Sequence, residues 1–496
     1  MKDLLHAEWT KFRTVRGWGI GMLVAVALTV LVGLSGPAST TISCARPDGR
    51  PCVKQTPPTG PDGEVVTDSF YFVHQPLTGD GTITARVTSL TGLYSPGGAR
   101  QAGVGTAGMQ SGVQPWTKAG IIVKDGTRQG SQYAAVMLTG GNGVRMQSNY
   151  IHDTPGTSGP WLRLTRSGDT LTGYSSSNGT QWTLIGTATL AGLPSTVQTG
   201  LFVASPGYTV IDQSFGGSSR RGGPTVATAG FDQVSPAGTW TGAAVGGQDG
   251  PAAPGFRRAG DTFTLTGSGD IAPGAAGGGD GSKIERSLVG AFAGLIAIIV
   301  VATMFMTGEY RRGLIRTTFA ASPWRGRVLA AKAVVIGGVT FVVGLVAAAI
   351  AVPVVRHLEL AKGFTVLPVS VPTTLRVIVG VAALLAVAAV LALAVGTLLR
   401  RSAGAVTAVI VAIVLPYILA IASVLPAGAA EWLMRLTPAA AFAIEQSIPA
   451  YPQVTASYTP ADGYFPLSPL GGFAVLCGYT ALALAAAVLV LRRRDA

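Results

Sequence analysis

The sequence predicts an α-helical polytopic membrane protein of six transmembrane helices. An all-β domain of jelly-roll or β-sandwich type is inserted between helices 1 and 2. Three observations carry this reading. Charged residues are 12% of the 496, against about 25% in soluble domains, and mean hydropathy is +0.44. Residues 18–34, 288–306, 333–355, 377–399, 405–425 and 470–491 are apolar runs without a charged side chain, each near the length that crosses a bilayer as a helix. Between the first two runs the composition turns to Gly, Ser and Thr, with short alternating strand patterns bounded by turn residues.

Residues 1–34 read as an amphipathic helix, "LLHAEWTKFRTVRGWGI", feeding the first span. A cleaved signal peptide also starts with a basic leader and an apolar core. Here the leader is long and no A-x-A follows, so an uncleaved anchor is expected. Residues 35–67 form a linker with Cys44 and Cys52. A disulfide between them fits an oxidising exterior, and the spacing leaves a free pair equally open.

Residues 68–234 hold the sandwich, with strands such as "TITARVTSL", "AAVMLT", "WLRLTR" and "GLFVAS" and an Asn-Gly hairpin signal in "SNGT". Residues 235–287 read as a β extension and a tether, with a small strand pair within 230–269. Runs 37–68, 216–224 and 271–281 are rich in Gly and Pro and read as linkers. Residues 288–496 hold helices 2–6. Pro353 and Pro416 are expected to bend theirs.

Cations set the orientation. With the N-terminus in the cytoplasm, the inner segments hold Lys2, Lys11, Arg13 and Arg16, then Arg311, Arg312, Arg316, Arg325, Arg327 and Lys332, then Arg400, Arg401 and Arg492–Arg494. The short outer loops hold only Arg356, Lys362, Arg376 and Arg435. This reading puts both termini in the cytoplasm of a plasma-membrane protein and residues 35–287 outside. The net charge of +13 is then a topology signal and not a nucleic-acid footprint.

"GEYRRGLIRTTFAASPWRGRVLAAK", residues 308–332, lies between the second and third spans. Ser322 and Pro323 read as an N-cap and a first helical residue. The stretch resembles the cytoplasmic loop of ABC-2 type transport permeases of actinobacterial kind, through Glu309, Gly313, Arg316, Ser322, Pro323 and Arg327. The N-terminal helix and "RLTPAAAFAIEQS" before the last span also resemble that family.

The resemblance implies a six-span permease that pairs with a second copy or a homologous permease in the bilayer. It also implies an ATPase subunit docked beneath residues 308–332, contacting Glu309, Arg311, Arg312, Gly313, Arg316, Ser322, Pro323, Arg325 and Arg327. ATP and Mg are expected on that partner, and no cofactor on this chain. A P-loop requires G-x-x-x-x-G-K-[ST]; the nearest run, "GGGDGSK", misplaces the lysine and follows no strand.

The inserted domain, through "WTKAGIIVKDGTRQGSQYAAVML" and "WLRLTRSGDTLTGYSSSNGTQWTLIG", resembles the concanavalin A-like, laminin G-like jelly rolls. Glycoside hydrolysis calls for two carboxylates about 5–9.5 Å apart. The only glutamates in 35–287 are Glu64 and Glu285, in flanking segments, and Asp125, Asp153 and Asp169 stand singly beside turns. No glycosidase is expected, and no metal set accompanies His74 or His152. Aromatic faces remain as stacking surfaces for a glycan. Trp161 and Trp182 are expected to fill the core, leaving Trp116, Tyr150 and Tyr174 as ligand-binding candidates.

Polar groups within the spans are few and uncharged, among them Thr29, Thr303, Thr340, Thr397 and Thr407. No ionisable pathway is expected, which suits a lipid-like or peptide cargo. The leading expectation is an export permease with a lectin-like outer domain. The alternative is a membrane-anchored glycan-binding or sensor protein without transport.

Overall fold

The computed structural model describes residues 2–39, 57–96, 106, 108–157, 159–214, 217–247, 250–274, 282–321, 324–364, 366–422, 424–456 and 458–493. Cys44 and Cys52 lie outside these residues, as do Ser322 and Pro323.

Two antiparallel sheets form the inserted domain. In spatial order, one holds Thr241–Val245, Phe70–Thr78, Thr196–Ala204, Lys118–Lys124, Tyr133–Thr139, Val144–Ser148 and His152–Pro155. The other runs Thr183–Thr189, Thr170–Ser176, Trp161–Ser167, Gly81–Tyr94, Thr225–Ser235, Thr262–Gly267 and Gly255–Ala259, with Gln110–Ser111 paired to Gly81–Tyr94. Period-two alternation puts every second side chain between the sheets. Val73, Ile121 and Val136 from the first sheet meet Ile83, Leu164, Leu171 and Phe231 from the second, all of them buried. The hairpin turn holds as expected: Gly179 sits at φ 78°, and the Asn178 carboxamide oxygen accepts from the Thr180 and Gln181 amides.

The segments read as linkers, and the β extension, hold strands. Thr241–Val245 and Thr262–Gly267 extend both sheets, because Val245, Phe263 and Leu265 are buried apolar side chains. Gly217–Gly223 pairs with Tyr208–Ser214 as a hairpin; strand pairing uses backbone groups, which a Gly- and Ser-rich run still supplies. Val66–Asp68 pairs with Ile271–Pro273, joining the chain's entry into the domain to its exit. Val66 and Ile271 pack with Phe70, Phe72, Ile122 and Tyr133 as a second core on the other face of the first sheet. That explains why the whole of Lys118–Lys124 is buried.

The helices are α1 (Lys2–Thr14), α2 (Arg16–Ser39), α3 (Val289–Arg311), α4 (Leu314–Ala321), α5 (Arg325–Ala361), α6 (Val371–Leu399), α7 (Ser402–Val409), α8 (Leu415–Ile421), α9 (Ala427–Leu436) and α10 (Pro469–Arg493). Among the described residues, six helical segments are long and apolar enough to cross a membrane: Arg16–Gly36, Ile284–Arg311, Arg325–Ala361, Val371–Leu399, Ser402–Ile421 and Pro469–Arg493. Pro416 has no N–H to donate, and the preceding turn, Ile410–Val414, widens to π geometry between α7 and α8.

Small residues let the helices approach. A Cβ on Gly290 would lie 1.9 Å from the Thr29 carbonyl oxygen, and one on Gly294 2.2 Å from Thr29 Oγ1. One on Gly472 of α10 would lie 2.1 Å from the carbonyl oxygen of Ala440, in the buried 3₁₀ segment Pro438–Glu445.

The sandwich rests on loops of the bundle. Gln453 Nε2 donates to the Tyr150 and Ile151 carbonyls at 3.3 Å, and Val65 packs with Leu367 and Ile448.

Candidate functional site

Helices α3 and α5 outrun their apolar runs, and the added turns carry charge. The apolar run of α3 stops at Met306, yet the helix continues to Arg311 and takes Glu309 with it. α5 starts at Arg325, so Lys332 sits two turns inside it. On α1, Glu8 and Phe12 share one face at helical spacing, and both are buried. The Phe12 ring meets Phe305 edge-on at 5.9 Å, as does Trp18 at 6.0 Å.

These three helices meet at one ion cluster. Lys332 Nζ, fully buried, donates to Glu8 Oε2 and Glu309 Oε1, each at 2.6 Å. Lys11, on the rim, reaches Glu8 at 2.9 Å and Glu309 at 3.3 Å. The Lys332 ammonium also lies 5.1 Å from the Phe305 ring centre, a cation–π distance. Two carboxylates facing two ammoniums balance the buried charge, and desolvated charge is tolerated where it is paired and hydrogen-bonded.

The residues expected to contact an ATPase divide into two sets. Arg311, Arg312 and Arg327 are exposed. Gly313 is exposed too; its φ of 67° makes the reversal between α3 and α4. Glu309 and Arg325 turn inward. Glu309 is 9% exposed and bound to Lys332, which removes it from an outer contact surface. Arg325 Nη1 donates to the Leu491 carbonyl of α10 at 2.7 Å. Arg316 lies on α4. The expected Ser322 N-cap falls outside the described residues, and Trp324 occupies the N-cap position of α5, with Arg327 over its ring at 4.6 Å. A cavity of about 310 Å³ opens between the exposed arginines and the cluster, lined by Lys11, Trp18, Phe305, Glu309, Arg311 and Arg312 among others.

The aromatic residues of the sandwich are arranged otherwise than the sequence implied. Tyr150 is wholly buried. Its hydroxyl donates to Asp68 Oδ2 at 2.7 Å, beside the buried Lys124 ammonium, which reaches the same carboxylate at 2.8 Å. Burial first, then the Asp68 charge, push that phenol far above its ordinary range. Tyr150 is therefore a core group and not a stacking face. Trp116 is buried beneath Arg145, 5.6 Å from its ring centre. Tyr174 is half-buried in its strand, paired with Arg163 and Leu184. Trp161 and Trp182, expected in the core, are only half-buried, and Arg86 and Arg163 lie over their rings at 5.5 and 3.8 Å.

At the sandwich end of the bundle the sequence showed no ionisable groups within the spans, but the lengthened helices and adjoining segments bury several. Glu285 accepts from the Ser447 amide and, at 2.7 Å, from its hydroxyl. Glu359, 1% exposed, accepts from Ser282 Oγ at 2.8 Å, with Arg286 at 3.8 Å. Lys283 donates to the Asp462 carbonyl and lies 3.5 Å from the Tyr464 ring centre. Burial lowers its pKa to about 8, against the pull of Glu285 and Asp462. That lysine, the one in "GGGDGSK", is thus built into the loops at the sandwich end of the bundle.

No protein-family model and no curated protein matches the chain. Two solved structures show partial likeness. A functionally unknown protein from Saccharomyces cerevisiae is 17% identical over 38% of this chain and 83% of its own, with a TM-score of 0.19. SCP-B, a member of the eqolisin family of peptidases in complex with the tripeptide Ala-Ile-His, is 11% identical over 40% of this chain and 98% of its own, with a TM-score of 0.22. Both scores are too low to bear on what this chain does.

Proposed function

We propose that this chain is the membrane-spanning permease subunit of an ATP-driven exporter of the ABC-2 type, and that a separate ATPase docks on the turn and helix between α3 and α5. One observation supports this above the others. The short helix α4 is joined to two long helices that Glu8, Glu309 and Lys332 lock together, while Arg311, Arg312 and Arg327 stay exposed beside it. A push on such an elbow moves α1, α3 and α5 as one body. The exposed arginines suit an acidic partner surface, and rim charges of this kind govern docking rate and salt dependence. ATP and Mg belong to that partner, the helices to a bilayer and a second permease, and the sandwich to the outer side.

The test is affinity purification in a gentle detergent from the native host. The wild-type chain is expected to retain an ATPase subunit at low salt. Arg311→Glu, Arg312→Glu and Arg327→Glu together should release it while leaving the permease in the membrane fraction. Undiminished retention by the triple variant would count against the elbow as the docking site.

A further inference from the structure

The buried 3₁₀ segment Pro438–Glu445 ends on a carboxylate unlike its neighbours. Glu445 is 6% exposed, and among the described residues its side chain makes no hydrogen bond or ion pair. It lines a pocket of about 290 Å³ at the sandwich end of the bundle. Three aromatic residues share that pocket. Tyr417 and Phe442 stack with ring centres 4.0 Å apart, and Phe292 lies 5.4 Å from Tyr417 and 6.3 Å from Phe442. Val289, 56% exposed, and Ile421 complete an apolar lining that reaches the surface.

The position of Glu445 is enforced. The 3₁₀ segment is wedged between α6 and α10, where a Cβ on Gly380 would meet Ile444 at 2.3 Å and one on Gly472 the Ala440 carbonyl oxygen at 2.1 Å. 3₁₀ runs beyond three or four residues are uncommon; this one has eight. Burial, then the nearby Glu285 carboxylate, raise the Glu445 acid to about 8. A buried carboxylate with no compensating charge is costly, so the acid keeps its proton near neutral pH until a cation joins it.

We propose that this pocket binds an organic cation: a protonated or quaternary ammonium on an apolar body. Glu445 supplies the counter-charge, giving up its proton to the solvent as the cation binds. The ring faces attract a cation electrostatically, and the apolar lining takes the hydrocarbon. An anion would be repelled by Glu285 and by ionised Glu445, and a neutral hydrocarbon would leave Glu445 protonated and gain nothing from its charge. The site does not depend on whether the bundle exports anything. The ammonium comes either from a free amphiphile or from an ethanolamine lipid headgroup.

The experiment uses the full-length chain in nanodiscs of phosphatidylglycerol, with benzyltrimethylammonium as probe and the neutral isostere neopentylbenzene as control, read by equilibrium dialysis. The intact protein is expected to bind the cation saturably and to prefer it over the isostere. Glu445→Gln keeps the shape and should weaken cation binding at least about thirtyfold, as loss of a buried charge partner does. Tyr417→Leu keeps the carboxylate and should weaken it by about threefold to thirtyfold. Absence of saturable binding, equal affinity in Glu445→Gln, or equal binding of the isostere overturns the proposal. In discs containing phosphatidylethanolamine, competition with the probe supports the lipid as source. Unchanged affinity there supports a free cation.

Discussion

The two ends of the helix bundle bury charge in opposite ways. Where α1, α3 and α5 meet, Glu8 and Glu309 face Lys332 and Lys11, and every member has an opposite charge within 3.3 Å. At the sandwich end, Glu285 leans on a serine and a backbone amide with the Lys283 ammonium nearby, Glu359 on a serine with Arg286 farther off, and Glu445 on nothing among the described residues. A balanced cluster holds helices together. An unbalanced carboxyl keeps its proton, or costs stability once ionised, until a cation joins it. The first end is built as a joint, the second as a receptor.

The largest expected effect is at the joint. Lys332→Met leaves Glu8 and Glu309 buried without their shared cation and should destabilise the protein by about 3–5 kcal/mol, measured by denaturant unfolding in detergent. Adding Glu8→Gln and Glu309→Gln should recover part of the loss. If the single variant is as stable as wild type, the cluster is not a joint. At the other end, Glu285→Gln removes the charged acceptor for Ser447 and should cost about 1.5–3 kcal/mol, read in the same assay.

Glu445 gives a pH signature of its own. Its acid is raised to about 8 in the folded protein, whereas an unfolded glutamate ionises near 4.3. The folded state therefore holds more protons across that interval, so stability falls as pH rises, by on the order of 1 kcal/mol per pH unit. Between pH 5 and 8, Glu445→Gln should unfold with a flatter pH dependence than wild type. Parallel curves would show that Glu445 is already compensated. The smallest effect is expected at the rim of the joint. Lys11 is 41% exposed, so Lys11→Met should cost no more than about 1 kcal/mol, and added salt should narrow the difference.

Legibility followed the range of the signal. Period-two burial in Trp161–Ser167 and the Asn178–Gly179 turn are local, and both are present where the sequence put them. The strands at Gly217–Gly223 and Ile271–Pro273 were misread because composition reports linkers, whereas pairing reports backbone geometry. One further local signal stood unread: Gly290 and Gly294 are four residues apart on one helix face, the pattern of close helix approach.

The sequence by itself determined the solvent of each segment: six runs too apolar for water, and between two of them a strand-rich stretch with polar turns. Solvent preference is summed over neighbours along the chain, so it can be read residue by residue. Only the tertiary structure decided the partners of the charges. Glu8 and Lys332 are 324 residues apart, and nothing near either names the other. Glu309 reads as a residue of the cytoplasmic stretch until α5 brings Lys332 beside it, and nothing in the chain order shows that α6 and α10 close around Glu445. Pairing is a property of distance in space, which the fold creates and chain order does not contain.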